Sequence, residues 1–180
     1  MVEKRQYLIY ISLSKKMDID LKLIQTEIYD KCALEISDFM IEEESKEYDA
    51  CQYNLNGRRI ISRTAKITPK KTGQFVTFWK RQGIGPIRPF CEKDQFDLYV
   101  VNVRAENKIG QFVFPKSVLI NKGIISTARR EGKRAFRVYP SWDATASTQA
   151  ERTQQWQLEY FFEIIETMDF NKIAALYSKQ

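Results

Sequence analysis

Residues 96–103, FDLYVVNV, constrain the fold of this chain more than any other segment. They are almost continuously apolar, and a strand of this kind must be covered on both faces. Residues 110–114 predict a neighbouring strand that ends at Pro115. A chain of 180 residues is long enough to bury both strands within one domain. The sequence therefore predicts a central strand with a packed layer on each side.

Helical patterns flank this β-rich middle. Asp18 or Asp20 is a candidate N-cap for a first helix, and Asn56-Gly57 predicts a two-residue hairpin turn. In the last helix, Thr148 and Glu151 form a predicted capping box. One face of that helix carries Leu158, Phe161, Ile165 and Met168, and another carries Gln149, Thr153, Trp156 and Tyr160. Helices at both ends with strands between them predict an α+β or α/β fold with a central mixed sheet.

A single domain over residues 1–180 is expected, because no low-complexity tract divides the chain. We expect a helical part over 1–50, a basic β-rich core over 51–143 and a C-terminal helix over 144–180. The acidic run at residues 42–44 is interpreted as a solvated linker or helix end. The alternative is that it shields the basic surface when no partner is bound.

The charge of the chain is concentrated in its middle. The formal net charge is +6, but residues 58–137 hold 19 Lys and Arg against 5 Asp and Glu, a balance of +14. Residues 1–57 carry −5 and residues 138–180 carry −3. Such a local concentration attracts anions far better than a diffuse charge does.

Residues 64–81, TAKITPKKTGQFVTFWKR, combine these cations with aromatic side chains, and residues 110–116, GQFVFPK, repeat Gly-Gln-Phe-Val and again end in a cation. Positive charge beside flat aromatic surface suits a polyanion with stackable bases. Phe75, Phe78, Phe112 and Phe114 are assigned to the core. Gln74 and Gln111 are expected to be exposed strand residues. Thr153, Gln154 and Gln157 are expected to be ordinary surface helix residues unless the first turns of that helix face the groove. The predicted nucleic-acid-binding residues are Arg63, Lys66, Lys70, Lys71, Trp79, Lys80, Arg81, Lys116, Lys133, Arg134, Arg137 and Trp142.

Several chemistries are excluded by composition. The chain has no histidine, which removes Ser-His-Asp and Cys-His catalysis and two-His metal sites. Cys32, Cys51 and Cys91 are scattered without a CxxC motif, so we expect reduced thiols and no zinc site. The apolar stretch at residues 7–13 is too short to span a bilayer. We therefore expect a cytoplasmic protein with no metal, no cofactor and no membrane partner.

Five segments occur in order along the chain: TPKKTGQFVTFWKR, FDLYVV, GQFVFPKSVL, GKRAFRVYPSWD and TQAERTQQWQLEYF. Together they resemble the MepB family of small bacterial proteins, and the similarity covers residues 58–162. The resemblance implies a restriction-endonuclease-like core, the αβββαβ arrangement of PD-(D/E)XK nucleases, and nucleic acid as the partner. Members of this family lie beside multidrug efflux genes, which implies a link to drug response.

The nuclease motif itself is incomplete. It needs two carboxylates to hold Mg²⁺ near a lysine. Asp97 opens one strand and Lys116 ends the next, but Phe114 stands two positions before Lys116 and Phe78 two before Lys80. Asp97 is therefore expected to be a hydrogen-bonded structural carboxylate. Glu27, on the first helix, could in principle reach a metal, but nothing in the sequence indicates that it does.

The sequence favours a nucleic-acid-binding protein with a degenerate, non-catalytic nuclease fold. One alternative is a Mg²⁺-dependent nuclease that uses Asp97 and Lys116. The other is a regulatory module that binds another protein through the acidic ends of the chain. Since only unpaired bases can stack on aromatic side chains, we expect single-stranded DNA or RNA to bind at least as well as duplex, with Trp79 or Trp142 as the stacking residue.

Overall fold

A computed structural model describes residues 17–81 and 83–178 of the chain. The apolar stretch at 7–13 lies outside these residues. The helices are α1 (Ile19–Ile24), α2 (Lys116–Asn121), α3 (Thr148–Leu158) and α4 (Phe170–Ser178). The strands are β1 (Ile36–Ile41), β2 (Cys51–Leu55), β3 (Arg58–Thr64), β4 (Lys66–Thr68), β5 (Lys71–Thr77), β6 (Trp79–Lys80), β7 (Arg88–Pro89), β8 (Leu98–Ala105), β9 (Lys108–Pro115), β10 (Ala135–Val138) and β11 (Phe161–Glu163).

Six of these strands form a mixed central sheet in the order β1-β2-β3-β8-β9-β11. β3 and β8 run parallel, with Ile60 opposite Leu98, and the other neighbours are antiparallel. A smaller sheet has the order β10-β5-β4, and β6 pairs with β7. The prediction of an α+β fold with a central mixed sheet and flanking helices is confirmed.

The predicted central strand is β8, and both of its faces are buried. Leu98 and Val100 pack against a helical layer that includes residues of α1 and α4. Tyr99, Val101 and Val103 pack on the opposite side, against residues of β5 and β10. All five side chains are 0% exposed. The molecule therefore has three layers, with helices on one side of the central sheet and the small sheet on the other.

A buried polar network ties the helical layer to the central sheet. Gln111 Nε2 donates to Asn102 Oδ1 at 2.7 Å across the β8–β9 pair. Gln111 Oε1 accepts from the hydroxyls of Tyr177 at 2.5 Å and Tyr29 at 3.2 Å. Gln111 is fully buried, so the expectation that it lies at the surface is wrong, because a satisfied amide can occupy an apolar layer.

The local signals in the first half of the chain are largely correct. Asp18 caps α1, since its carboxylate accepts from the backbone N–H groups of Asp20 and Leu21. Asn56 and Gly57 both have positive φ and connect β2 to β3. The part before residue 51 is not wholly helical, however, because β1 follows α1 and pairs with β2.

The C-terminal part differs from the predicted single helix. α3 begins after Ser147, whose Oγ accepts from the Ala150 N–H, so the cap lies one residue before the predicted Thr148. The helix ends at Leu158, and Phe161 lies in β11 instead. Pairing with β9 overrides the helical spacing, because Phe161 and Phe162 then reach opposite apolar layers. No helix among the described residues is long and apolar enough to cross a membrane.

All three cysteines are free thiols, but their surroundings differ. Cys51 is buried in the helical layer, and burial raises the pKa of its thiol to about 12. Cys32 and Cys91 are half-buried. The thiolate is the reactive form of cysteine. Cys51 is therefore unreactive for two reasons: reagents cannot reach it, and its thiol stays protonated near neutral pH.

We predict that Cys32 and Cys91 react with Ellman's reagent in the folded protein near neutral pH, whereas Cys51 reacts only after unfolding in guanidinium. The release of thionitrobenzoate, followed with and without denaturant, measures this directly. Cys51→Ser is the control, because it should leave the reaction of the folded protein unchanged. Rapid labelling of Cys51 in the folded state would contradict the burial described above.

Candidate functional site

A cleft of about 540 Å³ lies between β10, the first turns of α3 and the segment that follows α2. Its lining includes the cations Lys71, Lys122, Lys133 and Arg137. No aspartate or glutamate is among the described residues that line it. Charges of one sign that converge in a concave site concentrate the field and attract counter-ions, here anions.

Trp156 on α3 lines this cleft together with the aromatic residues Phe136 and Tyr139. Its ring packs 5.5 Å from the ring of Phe114 between centroids, and Lys122 Nζ lies 5.1 Å from the indole. Neither Trp156 nor Lys122 is among the residues predicted to bind nucleic acid. The available signal is the α3 face that carries Gln149, Thr153 and Trp156, all of which line the cleft.

Gln157 fixes α3 against β10. Its Oε1 accepts from the Tyr139 N–H, and its Nε2 donates to the Arg137 carbonyl, both at 2.9 Å. Gln154 Nε2 donates to the carbonyls of Pro140 and Asp143. Gln154 and Gln157 are therefore not ordinary surface residues. The first turns of α3 face the cleft, which is the exception that the sequence analysis left open, and both side chains bind backbone groups between Arg137 and Asp143.

Arg137 holds the β4–β5 hairpin at the edge of the cleft. Its guanidinium donates to the Gly73 carbonyl and to Thr68 Oγ1, both at 2.7 Å. Gly73 has a φ of +81°, and a Cβ there would lie 2.5 Å from the ring of Tyr139. Gln74, which follows it, is buried rather than exposed as expected. Arg137 thus lines the cleft and also organises its wall.

The structure brings together three of the predicted binding residues, Lys71, Lys133 and Arg137, in the cleft. Lys70 is exposed at the turn before β5, next to Lys71. Lys66 is exposed on β4, and its Nζ lies 4.8 Å from the ring of Tyr48. These two lysines extend the positive surface along the hairpin.

Trp79, Lys80 and Arg81 form a separate patch. Arg81 Nε pairs with Glu44 at 2.7 Å, and its guanidinium lies 5.7 Å from the Trp79 ring. Lys80 pairs with Asp94. The acidic run after β1 thus reaches one predicted binding residue, Arg81, through Glu44, outside the cleft.

Asp97 is a structural carboxylate, as expected. Its Oδ2 accepts from the Arg59 N–H at 2.8 Å, which joins the start of β8 to the start of β3. Lys116 Nζ donates to the Asp94 carbonyl and lies 5.3 Å from the ring of Phe96. Phe114 is 0% exposed in the core. No group of three or more His, Cys, Asp or Glu among residues 17–81 and 83–178 is placed to hold a metal ion.

Two more of the predicted binding residues, Trp142 and Arg134, lie outside the cleft. Trp142 is half-buried against Phe161 at 5.6 Å between ring centroids, and Lys108 Nζ lies 5.8 Å from its ring. Arg134 pairs with Glu131 at 2.8 Å. The structure does not bring these side chains to the wall formed by Trp156.

Arg63 must be removed from the predicted phosphate-binding set. Its side chain is 1% exposed, and its guanidinium forms a bidentate ion pair with Glu42. Its Nη1 also donates to the Ser62 carbonyl at 2.8 Å. An arginine of this kind serves the packing of β3 against the segment after β1.

The sequence profile of the MepB-like family matches residues 42–163 of the chain. This match spans β2 to β11 and includes the whole cleft. Among solved structures, one titled "Crystal Structure of MepB" is 32% identical, with a TM-score of 0.72, and the alignment covers 84% of this chain and 100% of that chain. No curated protein gives a significant match.

The Arg63–Glu42 pair gives a test of stability. We predict that Glu42→Ala lowers the free energy of unfolding by about 3–5 kcal/mol, because it leaves a guanidinium buried without its carboxylate. The double variant Arg63→Met/Glu42→Leu should recover most of this loss, since it buries no charge. Urea denaturation of both variants provides the comparison. A loss below about 1 kcal/mol in Glu42→Ala would mean that the pair behaves as an exposed one.

Proposed function

This chain belongs to the MepB-like family, and we propose that it binds nucleic acid through the cleft between β10 and α3 without cleaving it. The observation that carries the proposal is the convergence of Lys71, Lys122, Lys133 and Arg137 on one concave surface whose described lining has no carboxylate. Phosphate groups are the anions that such a surface binds along a polymer.

Two further features support binding at this cleft. The first turn of α3 contributes the partial positive charge of a helix N-terminus. Lys66 and Lys70 on the β4–β5 hairpin continue the positive surface beyond the cleft. A nucleic-acid strand that enters the cleft would therefore meet further phosphate-binding side chains outside it.

The type of nucleic acid is inferred from Trp156. Its indole is half-buried and forms part of the cleft wall, with the ammonium of Lys122 5.1 Å from the ring. A base can stack on this ring when the Lys122 side chain turns from the indole to a phosphate of the bound strand. Bases in a duplex are stacked on one another and cannot reach this ring. Single-stranded DNA or RNA is thus the preferred ligand, with Trp156 in the role that the sequence assigned to Trp79 or Trp142.

A restriction-endonuclease-like origin of the core is part of this proposal. Helix α1 precedes the antiparallel strands β1, β2 and β3, and β8 lies parallel to β3. This order agrees with the start of the αβββαβ arrangement. Strands β4 to β7 occupy the position of its second helix. The family's proximity to efflux genes extends the proposal to a role in drug response.

The absence of cleavage is inferred from how the motif positions are used. Asp97 accepts the Arg59 N–H, Lys116 binds the Asp94 carbonyl, and Phe114 lies in the core. These three side chains thus serve the packing and hydrogen bonding of the sheet. Cutting in Mg²⁺ or Mn²⁺ that Asp97→Asn abolishes would overturn this part and support the nuclease alternative.

We predict that Lys122→Glu/Lys133→Glu weakens binding to labelled single-stranded and duplex DNA and reduces its dependence on salt. Each lost phosphate contact should lower the log–log slope by about 0.7 for single strands and 0.9 for duplex. Fluorescence anisotropy over a salt series measures both quantities.

The matched control is Lys31→Glu/Lys172→Glu, which makes the same charge change on the helical layer. Both lysines are exposed and pair with Glu27 and Asp169, contacts of little energetic weight. The proposal expects this variant to keep nearly wild-type affinity and slope. Equal weakening by the two double variants would indicate attraction by net charge alone.

Trp156 separates stacking from charge. We predict that Trp156→Ala weakens the binding free energy for single-stranded DNA by about 1–3 kcal/mol and leaves the affinity for duplex nearly unchanged. Trp156→Phe, which retains a ring against Phe114, should lose less. Thermal melts of both variants establish that they fold before affinities are compared.

A single-tryptophan protein provides an independent readout. In Trp79→Phe/Trp142→Phe, Trp156 is the remaining tryptophan, because the sequence contains three. Its emission should be quenched by single-stranded DNA. An unquenched Trp156 together with wild-type affinity in Trp156→Ala would exclude stacking and leave only phosphate binding.

A further inference from the structure

A second groove, of about 470 Å³, runs between β11 and α4 and shares no lining residue with the basic cleft. Ile165 stands at its edge with 54% of its surface exposed. Its apolar lining consists of Phe161, Phe162, Ile165, Met168, Ile173 and Leu176. An apolar groove of this size is large enough to hold several side chains of a partner.

The groove borders a strand with one unpaired edge. β11 is the last strand of the central sheet and pairs with β9, with Phe162 opposite Gln111. The Tyr160 carbonyl also accepts from the Val113 N–H, and the Ile164 N–H donates to the Ile109 carbonyl, both within β9. In this alternating pattern the N–H and C=O groups of Phe161 and Glu163 point away from β9. No strand among the described residues pairs with that side of β11.

The charge around the groove is acidic. Glu159, Glu163 and Asp169 line it, Glu166 is exposed in the loop between β11 and α4, and Lys172 is the cation among the lining residues. Nucleic acid is repelled by such a rim. A second copy of this chain paired edge to edge would place the same carboxylates opposite each other, which is unfavourable.

We propose that this groove binds an extended segment of another protein in which apolar residues alternate with Lys or Arg. The segment adds a strand to β11, so that its apolar side chains enter the groove and its cations meet the acidic rim. This surface is separate from the basic cleft, so the chain can hold nucleic acid and a basic protein segment at the same time.

The test uses the full chain and a fluorescein-labelled peptide of about ten residues that alternates Lys and Val. It should bind at least about tenfold more tightly than a Glu-Val peptide of the same length. Two further peptides carry N-methyl groups, one on every Lys amide and the other on every Val amide. One of these two peptides should no longer bind, because a strand bonds to its neighbour through every second N–H.

Two variants probe the groove without disturbing the core. Ile165→Asn removes an exposed apolar contact without changing the charge of the rim. It should lower the affinity for the Lys-Val peptide at least about tenfold, while the affinity for single-stranded DNA stays at the wild-type value. Glu163→Lys/Glu166→Lys should reverse the preference and favour the Glu-Val peptide. A DNA affinity that falls along with the peptide affinity would contradict two separate surfaces.

Hydrogen exchange identifies the bonded edge. The peptide should slow exchange of the Phe161 and Glu163 amides and leave that of Phe162, which already bonds to β9, unchanged. Equal binding of Lys-Val and Glu-Val peptides, or tight binding without protection of the Phe161 and Glu163 amides, would overturn the proposal. If sedimentation shows that the protein is a dimer and that the dimer does not bind the peptide, the groove is occupied by a second copy of the chain instead.

Discussion

The structure depends on covering both faces of β8. A strand that buries Leu98 and Val100 on one side and Tyr99 and Val101 on the other needs two packed layers. The helices α1 and α4 supply one of them, and the small sheet supplies the other. Because α3 packs beside the edge strand of the small sheet, with Trp156 against Phe114 of β9, the junction between β10 and α3 becomes the basic cleft. The site is thus a consequence of how the second face of one strand is buried.

The repeated Gly-Gln-Phe-Val segments have a packing explanation. Each glycine lies beneath an aromatic ring, Gly73 under Tyr139 and Gly110 under Phe161, where a Cβ would approach within 2.5–2.7 Å. The glutamine that follows each of them is buried. The repeat therefore marks two strands that receive an aromatic side chain from a later segment, and the positive charge near both is a separate property.

Much of the fold could be predicted from local signals. The Asp18 cap, the Asn56-Gly57 turn and the apolar run of β8 act over a few residues, so the sequence contains them completely. β11 could not be predicted, because only its pairing with β9 overrides the helical spacing of Phe161. For the site, charge counting found Lys71, Lys133 and Arg137. It could not reveal that Arg63 is buried in an ion pair with Glu42. Nor could it reveal that Lys122, after α2, lies next to Trp156 on α3.

The amide of Gln157 has a further consequence for how folded copies of the chain meet. It occupies the outward N–H and C=O groups at the end of β10 that another strand would otherwise use. Exposed strand edges are where protein molecules associate into larger sheets. Once α3 has docked, this side chain ends the small sheet at three strands and removes one template for aggregation. The residue that shapes the cleft therefore also closes one edge of the folded sheet to a second copy.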